Sequence, residues 1–185
     1  GALAMKTSAE GRKRLTQREG IRLKAYQDTK GIWTIGIGHT SMAGKPEVHQ
    51  GLTITAAQCD EIFARDLVQY ERAVSAAVHI PLAQHEFDAL VSFCFNIGTG
   101  GFAKSTVVKK LNAGDRKGAA EAFLLWNKPP EIKGRREGER LQFLTPYAGE
   151  TKPPLPDVPP VEQPASKPWW QALIDLILSI FKPKG

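Results

Sequence analysis

The sequence predicts an α+β domain, mostly helical, with a small β-hairpin near its N-terminus. Three observations carry that expectation. After residue 55, apolar residues recur at threes and fours, the period of helices with one buried face. Arg22–Gln27 and Ile32–Ile37 read as short strands around the turn-forming Asp28-Thr29-Lys30-Gly31, which makes a hairpin. Apolar content of 42% beside 24% charged residues is that of an ordinary globular chain, and 185 residues leave room for one full domain and little more.

The elements follow in order. Residues 1–4, ahead of Met5, read as a cleavage scar of recombinant expression and stand outside the fold. Residues 5–150 are expected to form the domain. Ser8 to Glu19 can be a helix closed by Gly20 at the C′ position. After the hairpin, Thr55 with Gln58 makes a capping box, and Cys59, Ile62, Phe63, Leu67, Tyr70 and Val74 continue as one buried face. Phe87, Leu90, Val91 and Cys94 repeat the spacing. Ser105 caps a short helix through Val108 and Leu111, stopped by Gly114. Asp115 starts another that carries Phe123 and Trp126. Pro129 and Pro130 break the chain, and Arg135 to Phe143 form a last helix. A hairpin attached to a helical body gives two parts, and a cleft between them is the natural place for a ligand.

Composition narrows the function classes. The net charge is +6, of which the last 35 residues, with four lysines against three acids, carry +1. A moderately basic surface favours polyanions in general. No recognition-helix, zinc-finger or aromatic RNA-binding pattern is present, so no nucleic-acid partner is expected. Cys59 and Cys94 are too few for a disulfide framework and sit at helical-core spacing; no Cys/His set has zinc-ligand spacing. Neither a metal nor a cofactor is expected. The polar stretch after Met5 contains no apolar run, so no signal peptide is expected.

Glu19, Asp28 and Thr34 form the constellation that can carry chemistry. Breaking a glycosidic bond needs a proton donor for the leaving oxygen and a carboxylate across the sugar. Glu19 falls at a helix C-terminus, where the dipole favours the protonated carboxyl, and burial in a cleft would add to that. Asp28, in the hairpin turn, stays accessible and ionised. Strand alternation puts Thr34 and Gly36 on one face and Trp33, Ile35 and Ile37 on the other. The Thr34 face is expected to be small, polar and open, so that its hydroxyl can hold a water for Asp28. By spacing alone this is weak, because a turn aspartate is usually only a turn former.

The wider string is more specific. Arg18-Glu19-Gly20-Ile21-Arg22-Leu23-Lys24-Ala25-Tyr26-Gln27-Asp28 runs through Thr29-Lys30-Gly31 to Trp33-Thr34-Ile35-Gly36-Ile37-Gly38-His39-Thr40. This closely resembles the active-site region of the T4-type phage lysozyme family of glycoside hydrolases. Phe93-Cys94-Phe95-Asn96-Ile97-Gly98-Thr99-Gly100-Gly101-Phe102 and Gly134-Arg135-Arg136-Glu137-Gly138-Glu139-Arg140 are similar to the helical lobe and late arginine-rich helix of lambdoid-phage endolysins in that family. The resemblance covers about Ser8 to Thr145. It implies a two-lobed, lysozyme-like fold and hydrolysis of the β-1,4 bond between N-acetylmuramic acid and N-acetylglucosamine in peptidoglycan. Glu19 would be the acid, Asp28 the base or charge stabiliser, and Thr34 the water holder. Arg135 or Arg136 is expected to pair with Glu19. Asn96, Gly38 and His39 are candidate positioning or substrate-binding residues, with Gly98–Gly101 a helix-ending turn at the cleft and a structural hydrogen bond the simpler role for His39. The resemblance further implies an endolysin of the host cytoplasm that needs a holin to reach the periplasm.

Composition shifts near Tyr147. Seven of the eighteen residues Thr151–Pro168 are proline, which predicts a stiff, extended linker. Ten of the fourteen residues Trp169–Lys182 are apolar, with Gln171, Asp175 and Ser179 as one polar stripe. As a helix this segment is roughly 21 Å long, too short to span a bilayer core of about 30 Å. Trp169, Trp170, Leu173, Leu176, Ile177, Ile180 and Phe181 fit a helix lying in a membrane interface, at a bacterial membrane or lipopolysaccharide. Docking on its own domain, or on a second copy in an otherwise monomeric protein, is the competing expectation. At this point two function classes stand: a muramidase, and a membrane-active lytic protein whose domain only binds peptidoglycan. A transglycosylase is a near relative of the first.

Overall fold

The computed structural model describes residues 4–152. The remainder of the proline-rich stretch and the apolar segment with Trp169, Trp170, Leu173, Leu176, Ile177, Ile180 and Phe181 lie outside the described residues. Helix α1 spans Ala9–Glu19, with Ser8 accepting from the Gly11 N–H and Gly20 (φ 79°) ending it. Strands β1 (Arg22–Gln27), β2 (Trp33–Gly36) and β3 (His39–Thr40) make an antiparallel sheet in the order β1-β2-β3. Seven helices follow: α2 (Ala56–Asp66), α3 (Val68–Ala77), α4 (Gln84–Ile97), α5 (Thr99–Lys104), α6 (Thr106–Asn112), α7 (Arg116–Ala122) and α8 (Lys133–Leu144).

The caps read from sequence are the ones used. Thr55 and Gln58 close a reciprocal capping box on α2, Ser105 accepts from Val108 N–H, and Asp115 accepts from Gly118 N–H. Such caps satisfy backbone donors that a helix cannot pair internally, each worth about 1 kcal/mol.

Helix α4 is the centre of the molecule. Every residue from His85 to Cys94 is buried, as expected of a helix surrounded by others. Leu90, Val91, Phe93 and Cys94 pack with Leu15 of α1, Val74 of α3, Phe102 of α5, Phe123 and Phe143 of α8. Phe93 alone meets three rings, those of Phe102, Phe123 and Trp126. Burying such a side chain contributes about 1.5–3 kcal/mol.

Four expectations need correction. The continuous face from Cys59 to Val74 is two helices, with the wholly buried Leu67 at the joint. Gly98 (φ 88°) ends α4 as expected, but the next residues re-enter a helix, α5, and are not a plain turn. Trp126 stands beyond α7 and a 3-10 turn at Phe123–Leu125. The face of β2 that carries Thr34 is not open. Thr34 is only 4% exposed, and a Cβ at Gly36 would lie 3.2 Å from Cys59 Sγ. The sheet is covered there by α2, so β2 reads as a strand buried on both sides.

Candidate active site

Glu19 is the last residue of α1, its side chain 24% exposed. Arg135 Nη1 donates to Glu19 Oε1. Arg135 is itself held on two further sides: its Nε donates to Glu139 Oε1 at 2.9 Å, and its Nη2 to the Ser92 carbonyl at 3.2 Å. Of the two arginines that could pair with Glu19, the structure brings Arg135. Three groups hold one guanidinium, so the acid's partner has little freedom to swing away.

Beneath this pair lies a buried polar network that periodicity alone does not reveal. Glu139 is fully buried and accepts from Arg135, from Arg136 Nη1 and from Ser92 Oγ (2.7 Å). Arg18, next to Glu19, donates to Ser92 Oγ at 3.1 Å and to Gln142 Oε1 at 2.7 Å. Burial pushes the Arg18 guanidinium pKa below its ordinary value, although the Glu139 carboxylate pulls it up. One sequence signal could have found the hub: Arg135 and Arg136 stand four and three residues before Glu139 on one helix, the spacing of side chains that meet.

Asp28 sits at the hairpin turn. Its Oδ1 accepts from the Lys30 N–H (2.8 Å) and the Ile32 N–H (2.9 Å), so it is indeed a turn former. Among the described residues no donor meets its second oxygen. Thr34 Oγ1 donates to the Ile32 carbonyl at 3.0 Å, and the Asp28 N–H donates to the same carbonyl at 3.0 Å. Asp28 and Thr34 are thereby fixed to the main chain of one residue. The hairpin pairs Gln27 with Trp33 and Tyr26 with Thr34, which supplies the register that the sequence left open.

Tyr70 is half-buried on α3. Burial raises its phenol pKa, followed by the charges of Cys94, Asp66 and Glu19. Its ring lies 5.0 Å from that of Phe95, the neighbour of Asn96.

The remaining candidates divide. His39 is 1% exposed, with Nδ1 2.7 Å from Asp66 Oδ2 and Nε2 3.1 Å from the Pro46 carbonyl. Both nitrogens are engaged by protein, so His39 holds β3 against α2 and does not reach a ligand. Gly38 (φ 71°) makes the turn between β2 and β3, a backbone conformation that favours glycine. Arg136 is 2% exposed and touches Asn96 Oδ1, Glu139 and the Trp126 carbonyl (3.0 Å), not Glu19. Asn96 itself is exposed at the end of α4.

Comparison with known proteins gives the family. The phage lysozyme family matches residues 16–145. The endolysin of Salmonella phage P22 is 46% identical over 145 residues, covering 76% of this chain and 99% of the relative. The SAR-endolysin of Escherichia phage N15 is 43% identical over 115 residues, covering 62% of this chain and 64% of its own. A crystal structure of a mutant P22 lysozyme superposes with a TM-score of 0.73 at 46% identity, over 76% of this chain and 99% of that one. The muramidase domain of SpmX from Asticaccaulis excentricus does so with a TM-score of 0.68 at 38% identity, over 76% and 99% respectively. With the family matched from within α1 to the end of α8, the chain belongs to the phage lysozyme family.

Proposed function

We infer that the chain is a muramidase endolysin that cuts the β-1,4 bond between N-acetylmuramic acid and N-acetylglucosamine, with Glu19 as general acid. The observation that supports this most directly is the presence of a helix-terminal Glu19, braced by Arg135, together with an Asp28 that has one oxygen committed to its turn and the other unengaged among the described residues. Glu19 protonates the leaving oxygen. Asp28 takes a proton from the attacking water. Thr34 gives its hydroxyl hydrogen to the Ile32 carbonyl, which leaves the Oγ1 lone pairs as acceptors, and the 4% of Thr34 that stays exposed is where the water would meet them. A water whose two hydrogens point at Thr34 and Asp28 presents its own lone pair to the anomeric carbon. Attack from the side opposite the leaving group inverts configuration.

Membership of the family and the names of the relatives favour the enzyme over a non-catalytic lytic protein. Peptidoglycan in the host periplasm is the substrate, reached from the cytoplasm with a holin's help. Action of the Trp169–Lys182 segment at a bacterial membrane or lipopolysaccharide belongs to the same reading, with docking on its own domain or on a second copy as the competing one.

Glu19→Gln keeps the shape of the site and removes the proton. The variant is expected to release no new reducing ends from purified peptidoglycan, a loss of at least about 100-fold. Mass spectrometry of the wild-type products should show hydrated, not anhydro, muramic acid ends. Undiminished cleavage by Glu19→Gln overturns the acid assignment, and anhydro products overturn hydrolysis.

A further inference from the structure

Trp126 is a partly exposed aromatic side chain that the mechanism leaves unused, and its carbonyl is bound by Arg136, the residue after the one that braces Glu19. The Arg135 that braces Glu19 also binds the Ser92 carbonyl of α4. Arg136, the next residue, binds Asn96, one turn further along the same helix. That step is roughly 6 Å along the axis, of the order of one linked sugar.

The local geometry is that of a prepared surface. Arg136, almost wholly buried, donates through Nε to the Trp126 carbonyl and through Nη2 to Asn96 Oδ1. A cation bound to the amide oxygen fixes which way Asn96 points, so its Nδ2 hydrogens face outward as donors. The benzo edge of Trp126 lies on Gly101, where an added Cβ would come within 3.2 Å of Cη2, and Phe93 meets the ring edge-on at 6.0 Å and 83°. The ring is therefore held on one side while the residue stays 36% exposed. Among the described residues no acceptor meets the indole N–H. Leu125 beside it is 65% exposed.

We propose that Trp126 and Asn96, both held by Arg136, form a subsite that binds one N-acetylated sugar of the glycan strand beside the scissile bond. The ring face takes the apolar C–H face of the sugar, and the two fixed N–H donors take its acetamido carbonyl. This rests on the muramidase reading of Glu19 for its place on the strand, but the recognition chemistry is the subsite's own. Arg136 acts through the other two and is a positioning residue.

The test uses the full chain. In a Glu19→Gln background, affinity for two neutral tetramers is measured by calorimetry: the β-1,4-linked tetramer of N-acetylglucosamine, and cellotetraose, which has hydroxyls in place of acetamido groups. Adding Trp126→Phe, which keeps an aromatic face but loses the indole N–H and the benzo edge on Gly101, should weaken the acetylated tetramer about fivefold. Asn96→Ala, at an exposed site, should do the same. Cellotetraose should bind weakly and be indifferent to either change. With Glu19 intact, Trp126→Leu should raise KM on peptidoglycan about tenfold with kcat within about threefold. Unchanged affinity for the acetylated tetramer, equal losses for both sugars, or a fall in kcat matching a fall in Tm with KM constant would each overturn the subsite. Glycan cleavage surviving in Glu19→Gln would remove the acid and leave the binding result to stand by itself.

Discussion

Gly11 shows how tightly a single position can be specified. It lies in α1 where the helix crosses α4, and a Cβ there would overlap the carboxylate of Asp88, which is 1% exposed. That carboxylate cannot step aside, because it already accepts from the Ser8 N–H (3.0 Å), the Ser8 hydroxyl and Gln84 Nε2 (2.8 Å). Alanine is the better helix former by about 1 kcal/mol, but overpacking against a fixed buried group costs about 1–3 kcal/mol and breaks those bonds as well. Gly11→Ala should therefore lower stability, with Tm down by several degrees in a calorimetric scan; an unchanged or raised Tm would show that Asp88 can move. At this scale the sequence was most legible where chemistry imposes spacing. Glu19, Asp28 and Thr34 fall at the end of α1, in the hairpin turn and on β2 as expected, and the caps at Thr55, Ser105 and Asp115 all close. It was least legible where a polar side chain is buried by tertiary packing: the spacing of Arg135 and Arg136 points to Glu139, but nothing local says that Ser92 joins them or that the carboxylate is fully buried.

The N-terminal end of α4 illustrates how an element is secured from outside itself. Glu150, beyond α8, accepts from the His85 N–H at 2.9 Å, from the His85 ring at 2.8 Å and from the Tyr147 N–H at 2.8 Å. Burial would raise its pKa, but these hydrogen bonds together hold it below the ordinary carboxylate value. A folded-state pKa lower than the unfolded one gives stability that is present above the unfolded value and is lost as pH falls through the folded one. Asp88, three residues along the helix from His85, has the opposite sign: burial raises its pKa against the hydrogen bonds from Ser8, Gln84 and Tyr147. Its contribution is full at low pH and fades as pH rises through its folded value. Glu150→Gln should flatten the acid side of the stability curve below about pH 4.5, measured by urea unfolding at a series of pH values. A slope identical to wild type would show that the clasp does not titrate as described. The helix α5 and the break at Leu67 were missed for a related reason. A six-residue helix rich in glycine has too little periodicity to declare itself, and two helices sharing one buried face look like one.

For the molecule as a whole, the α+β class and the two-part plan followed from a change of period, 2 in the hairpin and 3.6 afterwards, and that change survives in the structure. The sheet's own covering did not follow, because alternation along β2 cannot reveal that α2 closes the face of Thr34 and Gly36. The P22 relative is covered over 99% of its length by 76% of this chain, so a domain of that extent has a natural counterpart. A truncation after Glu150 is accordingly expected to fold, keep its Tm within a few degrees, and release reducing ends from purified peptidoglycan at the wild-type rate. On intact Gram-negative cells it is expected to lose most lytic effect, as the membrane-interface reading of Trp169–Lys182 requires. Equal lysis of intact cells by both forms would remove that role from the segment.

Arg135 and Arg136 are consecutive residues of α8, yet one reaches Glu19 and the other reaches Trp126 and Asn96. On the roles proposed above, proton delivery and strand grip share a single mechanical mount. A rotation or axial slip of α8 would throw both out of alignment in the same stroke. Lesions far along that helix, such as those that unseat Phe143 from the core, should therefore degrade turnover and substrate retention together, whereas damage confined to the hairpin should spoil turnover alone.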